Sequence, residues 1–180
     1  MIHLVESSLK VEDDAAGLTM EGYKQQFITI GHGKGIATYF KNDSFKPAEE
    51  VKTDKFQITK LKHEVMGRVN VYQSQPGNSL ELLGRLQKLI TPGRITIITG
   101  DFNIFYMENF SNRMTQGLLS IGFDQLVQES THIRGRHIDQ VYFLDQSERL
   151  QPIVDRYSPY YSDHDGICIT IPELIPKNEG

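Results

Sequence analysis

The chain has 180 residues, of which 38% are hydrophobic and 23% are charged, and its formal net charge is −4. These values predict one globular domain and exclude the broad basic face with which strongly cationic proteins displace counterions from nucleic acid. The single cysteine, Cys168, excludes an internal disulfide and therefore a disulfide-stapled secreted domain.

The first residues of the chain, Met1 to Val5, form a short apolar run that predicts a strand. They have neither the basic region nor the long apolar core of a signal peptide. No stretch reaches the roughly 18 apolar residues that a membrane-spanning helix needs. We therefore expect a nuclear or cytoplasmic protein that is not secreted and has no membrane partner.

Four more strands are predicted in the first half of the chain. Residues 26–30 and 36–40 flank a glycine-rich segment, 31–35, which lacks the Lys-Ser/Thr pair of a phosphate-binding Walker loop. A hairpin bend is therefore the better interpretation of that segment. Residues 56–61 and 65–72 have the apolar patterning of two further strands.

The clearest helix is predicted over residues 79–90 and ends at Pro92-Gly93. Apolar residues at helical spacing predict its buried face, namely Leu80, Leu83, Leu86, Leu89 and Ile90. The β-branched run 94–99 predicts a strand that is buried on both faces.

The second half continues with a helix over 112–121, closed by Gly122, and with strands over 141–144 and 166–171. The last of these strands contains Cys168, which we expect to be a buried thiol. Residues 173–180 are expected to form a flexible tail. Many strands and few helices predict an α+β protein whose sheets are largely antiparallel.

Polar groups with catalytic potential follow the buried strand that ends near Thr99. Asp101 and Asn103 are two residues apart, so on an extended chain their side chains point the same way. A carboxylate and a carboxamide in this position offer a base or metal ligand beside a neutral hydrogen-bonding group. A turn closed by an Asx hydrogen bond is the alternative explanation.

Two further segments carry paired acid and imidazole groups. In Ser162-Asp163-His164 a hard oxygen ligand adjoins an imidazole, although a surface ion pair would have the same sequence. In Ile138-Asp139 the carboxylate precedes a strand, where it could orient His164 or form a salt bridge with Arg134 or Arg136.

The order Gly-Asp-x-Asn, Ile-Asp-x-Val-Tyr and Ser-Asp-His resembles the endonuclease/exonuclease/phosphatase superfamily, which includes apurinic endonucleases, DNase I and retrotransposon endonucleases. The resemblance implies a four-layer α/β/β/α sandwich of the DNase I type over residues 1–172. In that family a strand ending in Asn, followed by a helix, precedes the segment that resembles Leu4-Val5-Glu6. The resemblance therefore implies that the first strand and helix of the domain are missing.

The resemblance also implies a role for each motif residue. Asp101 would orient or deprotonate the attacking water, and Asn103 would steady the phosphate. Asp163 would bind the metal and His164 the phosphate, while Asp139 would pair with His164.

Two more residues match the family pattern less specifically. Tyr72, at the end of Val69-Asn70-Val71-Tyr72, would reach the scissile phosphate, and Glu6 would share the metal with Asp163. The implied cofactor is Mg²⁺, with Mn²⁺ as a substitute.

The favoured function is a DNA endonuclease of the mobile-element type, whose parent protein would carry a reverse transcriptase or a helicase. Arg134 and Arg136 lie just before Asp139 and could contact the DNA backbone, although a solvated basic loop is the alternative. Two other functions stay open. One is a phosphatase or phosphodiesterase acting on a lipid or small phosphate ester, and the other is an inactive remnant that serves as a binding module.

Overall fold

Eleven strands and two α-helices form the described part of this computed structural model, which covers residues 1–5, 17, 19–29, 34–41, 45–74, 77, 79–104, 112–160 and 162–174. The strands are β1 (Ile2–Val5), β2 (Tyr23–Thr29), β3 (Gly35–Lys41), β4 (Lys46–Lys52), β5 (Phe56–Lys62), β6 (Met66–Gln73), β7 (Ile95–Asp101), β8 (Asp124–Gln125), β9 (Asp139–Leu144), β10 (Ile153–Tyr157) and β11 (Gly166–Thr170). The helices are α1 (Ser79–Leu89) and α2 (Arg113–Ser120), and Pro172–Leu174 form a 3₁₀ turn. None of the helices in these ranges is long and apolar enough to cross a membrane.

A six-stranded sheet in the order β4-β5-β6-β7-β9-β8 forms the centre of the fold. Only the β6–β7 pair is parallel, and the other neighbours in this sheet are antiparallel. Because α1 connects β6 to β7, this pair has the crossover that parallel strands require.

Both helices pack against one face of this sheet. Their side chains join residues from β5, β6, β7 and β9 in one core: Leu82, Leu86, Leu89, Met114 and Leu118 with Phe56, Ile58, Val69, Val71, Ile98, Tyr142 and Leu144. The predicted face of α1 was wrong at one position, because Leu80 is 55% exposed while Leu82 is fully buried. In a helix with 3.6 residues per turn, residues 82, 86 and 89 share a face from which residue 80 is turned away.

The opposite face of the central sheet is covered by two smaller groups of strands. One is a three-stranded sheet in the order β1-β3-β2, whose Ile28 and Ile36 pack with Tyr72. The other is the β10–β11 pair, whose Ile167 and Ile169 pack near Val141. The described residues therefore form three successive layers, which are helices, the central sheet and the smaller sheets.

Cys168 corrects a second expectation, because its thiol is exposed rather than buried. It lies between Ile167 and Ile169 on β11, and these neighbours face the central sheet. Side chains alternate along a strand, so Cys168 points to the opposite side. The described part of the chain places no further layer over that side.

Candidate active site

Three of the predicted site residues lie side by side on neighbouring strands. The parallel β6–β7 pairing aligns Tyr72 with Asp101, and the antiparallel β7–β9 pairing aligns Asp101 with Asp139. Residues that are aligned across neighbouring strands project to the same face of the sheet. Here that face is the one covered by β1–β3, where Tyr72 packs with Ile28 and Ile36.

Gly100 allows β7 to approach β6 closely at this level of the sheet. Its φ of +149° belongs to a region that residues with side chains rarely adopt, and a Cβ at this position would lie 1.8 Å from the Val71 carbonyl oxygen. Only glycine combines this backbone conformation with this spacing. The glycine before Asp101 is therefore required by the local packing.

Asp101 and Asn103 form a hydrogen-bonded turn at the end of β7. The backbone N–H of Asn103 donates to Asp101 Oδ1 at 2.8 Å, and Asn103 Nδ2 donates to Asp101 Oδ2 at 3.2 Å and to the Gln73 carbonyl oxygen at 2.7 Å. Asn103 has a φ of 48°, a left-handed conformation that asparagine tolerates. The Asx turn considered from the sequence is thus present, and it fixes the buried carboxylate of Asp101.

Asp139 holds the imidazole of His164. Asp139 Oδ2 lies 2.8 Å from His164 Nδ1 and accepts a second hydrogen bond, also of 2.8 Å, from the hydroxyl of Thr131. The backbone N–H of Asp139 donates to the same hydroxyl at 3.1 Å. Of the partners considered for Asp139, the structure therefore places His164 on this carboxylate.

The charge state of His164 follows from this contact. The hydrogen bond to Asp139 raises the pKa of His164 to about 9, and the negative charges of Asp139, Asp101 and Asp163 act in the same direction, whereas burial opposes them. His164 is therefore an imidazolium at neutral pH. Since Nδ1 donates to Asp139, Nε2 remains as the other donor of the ring, and no described group is hydrogen-bonded to it.

A short backbone pairing brings Asp163 and His164 against the segment before Asp139. The Ile133 N–H donates to the Asp163 carbonyl at 3.0 Å, and the Asp165 N–H donates to the Thr131 carbonyl at 2.7 Å. This pairing places His132 opposite His164, with ring centroids 4.9 Å apart and an edge-to-face angle of 78°.

Thr131 and His132 are site residues that the motifs did not identify. Their only signal in the sequence is a threonine and a histidine in the polar segment directly before the Ile-Asp motif. Thr131 is fully buried and supports Asp139, and His132 Nε2 lies 3.2 Å from Asp163 Oδ2.

The two arginines lie on the turn that follows His132. Arg134 is exposed, and its backbone N–H donates to His132 Nδ1 at 3.0 Å. The backbone carbonyl of Arg136 accepts hydrogen bonds from the N–H groups of Thr131 and His132 at 3.0 and 3.1 Å. Both residues are therefore near the site through the backbone, and their contact with a substrate stays a prediction.

Two other predicted residues have different outcomes. Tyr72 is at the expected strand end but is only 2% exposed, so it is a packed core residue in this structure. Its contact with a phosphate stays a prediction. Glu6 lies outside the residues that the structure describes.

The donor groups of this site fit a hard divalent cation. Asp101 and Asp139 offer carboxylate oxygens within 4.8 Å of each other, and Asp163 offers another beside His132 and His164. His164, as an imidazolium, is a hydrogen-bond donor here and not a metal ligand. Carboxylate oxygens are the protein ligands that Mg²⁺ prefers. Three carboxylates and one imidazolium also leave a net charge of about −2, which would repel a phosphodiester unless a cation balanced it.

No protein-family model and no curated protein sequence matches this chain. Solved structures share its fold at low identity. The endonuclease domain of TRAS1, a telomere-specific non-LTR retrotransposon, aligns with a TM-score of 0.61 and 15% identity over 84% of this chain and 79% of that domain. Truncated Caenorhabditis elegans TDP2 aligns with a TM-score of 0.61 and 14% identity over 94% of this chain and 82% of that chain.

An endonuclease/exonuclease/phosphatase family protein from Bacteroides thetaiotaomicron also aligns, with a TM-score of 0.56 and 15% identity over 82% of this chain and 72% of that protein. At such identities the likeness concerns the fold. The DNase I-like fold that the sequence motifs implied is confirmed by these likenesses, and three of its four implied layers lie within the described residues.

Proposed function

We propose that this chain is a metal-dependent phosphodiester hydrolase that acts on DNA. The observation that carries the proposal is the 2.8 Å contact that holds His164 on Asp139 beside the buried carboxylate of Asp101. Such a pair combines a cationic donor for a phosphate oxygen with a base for water. The retrotransposon endonuclease domain with the same fold supports DNA as the substrate class.

The proposed chemistry assigns separate tasks to these side chains. The Asp101 carboxylate orients a water molecule toward phosphorus, in line with the leaving oxygen, and accepts its proton. As the water oxygen bonds to phosphorus, the ester bond to the leaving oxygen breaks, and that oxygen takes up a proton from solvent. The Nε2–H of His164 donates to a non-bridging phosphate oxygen, where negative charge increases during the attack.

Asn103 has a more specific task than the family pattern implied. Its side-chain nitrogen has two N–H groups, which donate to Asp101 Oδ2 and to the Gln73 carbonyl. We therefore assign Asn103 to the orientation of Asp101. Direct contact between Asn103 and the phosphate stays a prediction.

Asp163, together with Glu6 as predicted from the sequence, would hold Mg²⁺ or Mn²⁺. Asp163 suits this role because its side chain is 60% exposed and can bind an ion that keeps several waters. When bound, the metal supplies positive charge at the phosphate.

The direct test is nicking of a supercoiled plasmid in the presence of Mg²⁺. Asp101→Asn should lower the nicking rate by about 10²-fold or more, because it removes the base and weakens water positioning. Asp124→Asn is the matched control, since Asp124 is an exposed carboxylate on β8 that pairs opposite Phe143, away from the site. Nicking by Asp101→Asn at the rate of the control would refute the assignment.

The alternative functions give different results in parallel assays. Hydrolysis of phosphoinositides or sphingomyelin without plasmid nicking would identify a lipid phosphodiesterase or phosphatase. A binding module would show no hydrolysis and no shift of its thermal midpoint with Mg²⁺ or Mn²⁺.

A further inference from the structure

His132 is held in place more firmly than the carboxylate that it contacts. The His132 side chain is 8% exposed, whereas that of Asp163 is 60% exposed, and Nε2 and Oδ2 are 3.2 Å apart. The backbone N–H of His132 donates to the Arg136 carbonyl, and its carbonyl accepts from Gly135 N–H at 2.8 Å. The imidazole is thus a fixed group next to a solvent-exposed acid.

The hydrogen bonds of His132 determine its tautomer. The Arg134 backbone N–H donates to Nδ1 at 3.0 Å, so Nδ1 must present a lone pair and cannot carry a proton. In the neutral ring the proton is then on Nε2, which faces Asp163 Oδ2. Nε2 therefore donates a hydrogen bond to this carboxylate.

We propose that His132 is a positioning residue for the candidate metal ligand Asp163: its Nε2–H fixes Oδ2 and thereby restricts the orientation of the carboxylate that would bind the cation. An exposed aspartate alone would lose side-chain conformational freedom on binding a metal, and an existing hydrogen bond reduces that cost. Partners that orient metal ligands typically contribute 10- to 100-fold to metal affinity. The binding of a cation by Asp163 rests on the proposed function, whereas the hydrogen bond between His132 and Asp163 is independent of it.

Two amide variants separate the contacts of the ring. In His132→Asn the side-chain oxygen occupies the region of Nδ1 and can still accept a hydrogen bond from the Arg134 N–H, but the asparagine side chain is too short to reach Asp163. In His132→Gln the amide nitrogen extends to the region of Nε2 and can donate to Asp163. A role confined to loop structure predicts that the asparagine variant is the better substitute, and the proposal predicts the opposite.

The test uses two readouts that need no substrate. Two-bond ¹H–¹⁵N correlation spectra of the wild-type protein at pH 7.5, assigned by the signals that His132→Asn removes, should show the Nε2–H tautomer. Isothermal titration with Mn²⁺ should show an affinity about 10-fold or more weaker for His132→Asn and within about 3-fold of wild type for His132→Gln. The Mg²⁺ concentration for half-maximal plasmid nicking should follow the same order.

Either of two results would overturn the proposal. One is an Nδ1–H tautomer, and the other is a Mn²⁺ affinity of folded His132→Asn that equals that of the wild type. Failure of the proposed function has a different signature: the wild-type protein would nick no DNA, while the tautomer and the Mn²⁺ titrations would still decide the role of His132.

Discussion

Replacement of Asp139 by asparagine should change the charge state of His164 with little change in shape. The wild-type carboxylate accepts from His164 Nδ1 and from the Thr131 hydroxyl, both at 2.8 Å. An asparagine oxygen can accept the same bonds but has no negative charge. We therefore expect the pKa of His164 to fall from about 9 toward its ordinary value of 6.5.

The stability of the protein should record this change in a defined pH window. A folded-state pKa of about 9 against 6.5 in the unfolded chain corresponds to at most about 3–4 kcal/mol, since each pKa unit is worth about 1.4 kcal/mol. The group is a histidine whose pKa is raised by folding. Its stabilisation is therefore fully present below pH 6.5 and is lost as the pH rises through about 9.

Urea unfolding at pH 6.0 and pH 9.5 measures this window. The free energy of unfolding of Asp139→Asn should be lower than that of the wild type by about 2–3 kcal/mol at pH 6.0, and the difference should shrink at pH 9.5. Asp124→Asn is the control, with a small difference that does not change between these pH values. A deficit of Asp139→Asn that is equal at both pH values would refute the link between Asp139 and His164 protonation.

Plasmid nicking offers an independent measurement of the same effect. At pH 7.5 a His164 with a pKa of 6.5 would be protonated in only about a tenth of the molecules, whereas nearly all are protonated in the wild type. Nicking by Asp139→Asn should therefore be about 10-fold slower at pH 7.5 and should recover toward pH 6.

The fold itself supports two further predictions. Gly100→Ala should lower the free energy of unfolding by about 3 kcal/mol or more, because a Cβ would meet the Val71 carbonyl at 1.8 Å. Gly67→Ala is the control, since a Cβ there meets nothing within 4 Å. Equal losses of stability in the two variants would contradict this reasoning. Leu82→Ala should lower the free energy of unfolding, measured in urea, by about 2–5 kcal/mol, whereas Leu80→Ala should lower it by well under 1 kcal/mol, since only Leu82 lies in the core. The reverse order would show that the buried face of the helix is assigned incorrectly.

The strands that bury apolar residues could be predicted from the sequence, and two strands that are mostly exposed could not. The predicted strands at 56–61, 65–72 and 94–99 correspond to β5, β6 and β7 in the middle of the central sheet. β4 and β10 were missed because each is mostly exposed, so neither shows an apolar alternation. Charged side chains on such strands protect the sheet edge from aggregation, and they also remove the pattern.

The chemistry of the site was easier to predict than its supporting contacts. Asp101, Asp139 and His164 were identified by motifs, and the structure brings their ligand atoms within 4.8 Å of one another. Thr131 and His132 were not among the motif residues. Thr131 acts through its hydrogen bond to Asp139, and His132 through a pairing with the segment that contains His164, and neither contact has a signal in the sequence. The burial of Tyr72 could not be predicted from the sequence either, because its packing depends on strands β2 and β3 of the smaller sheet.

Gly100 determines the position of Asp101, the next residue of the Gly-Asp-x-Asn motif. It is aligned with Val71 on β6 and with Gln140 on β9, one residue before the level of the site on β7. A side chain there would force β7 away from β6, and Asp101, as the next residue, would move relative to Tyr72 and Asp139 together. The glycine therefore sets the distance between β6 and β7, and the position of Asp101 relative to Tyr72 depends on that distance. A Gly100→Ala protein that remains folded should accordingly lose nicking activity even though every candidate catalytic side chain is still present.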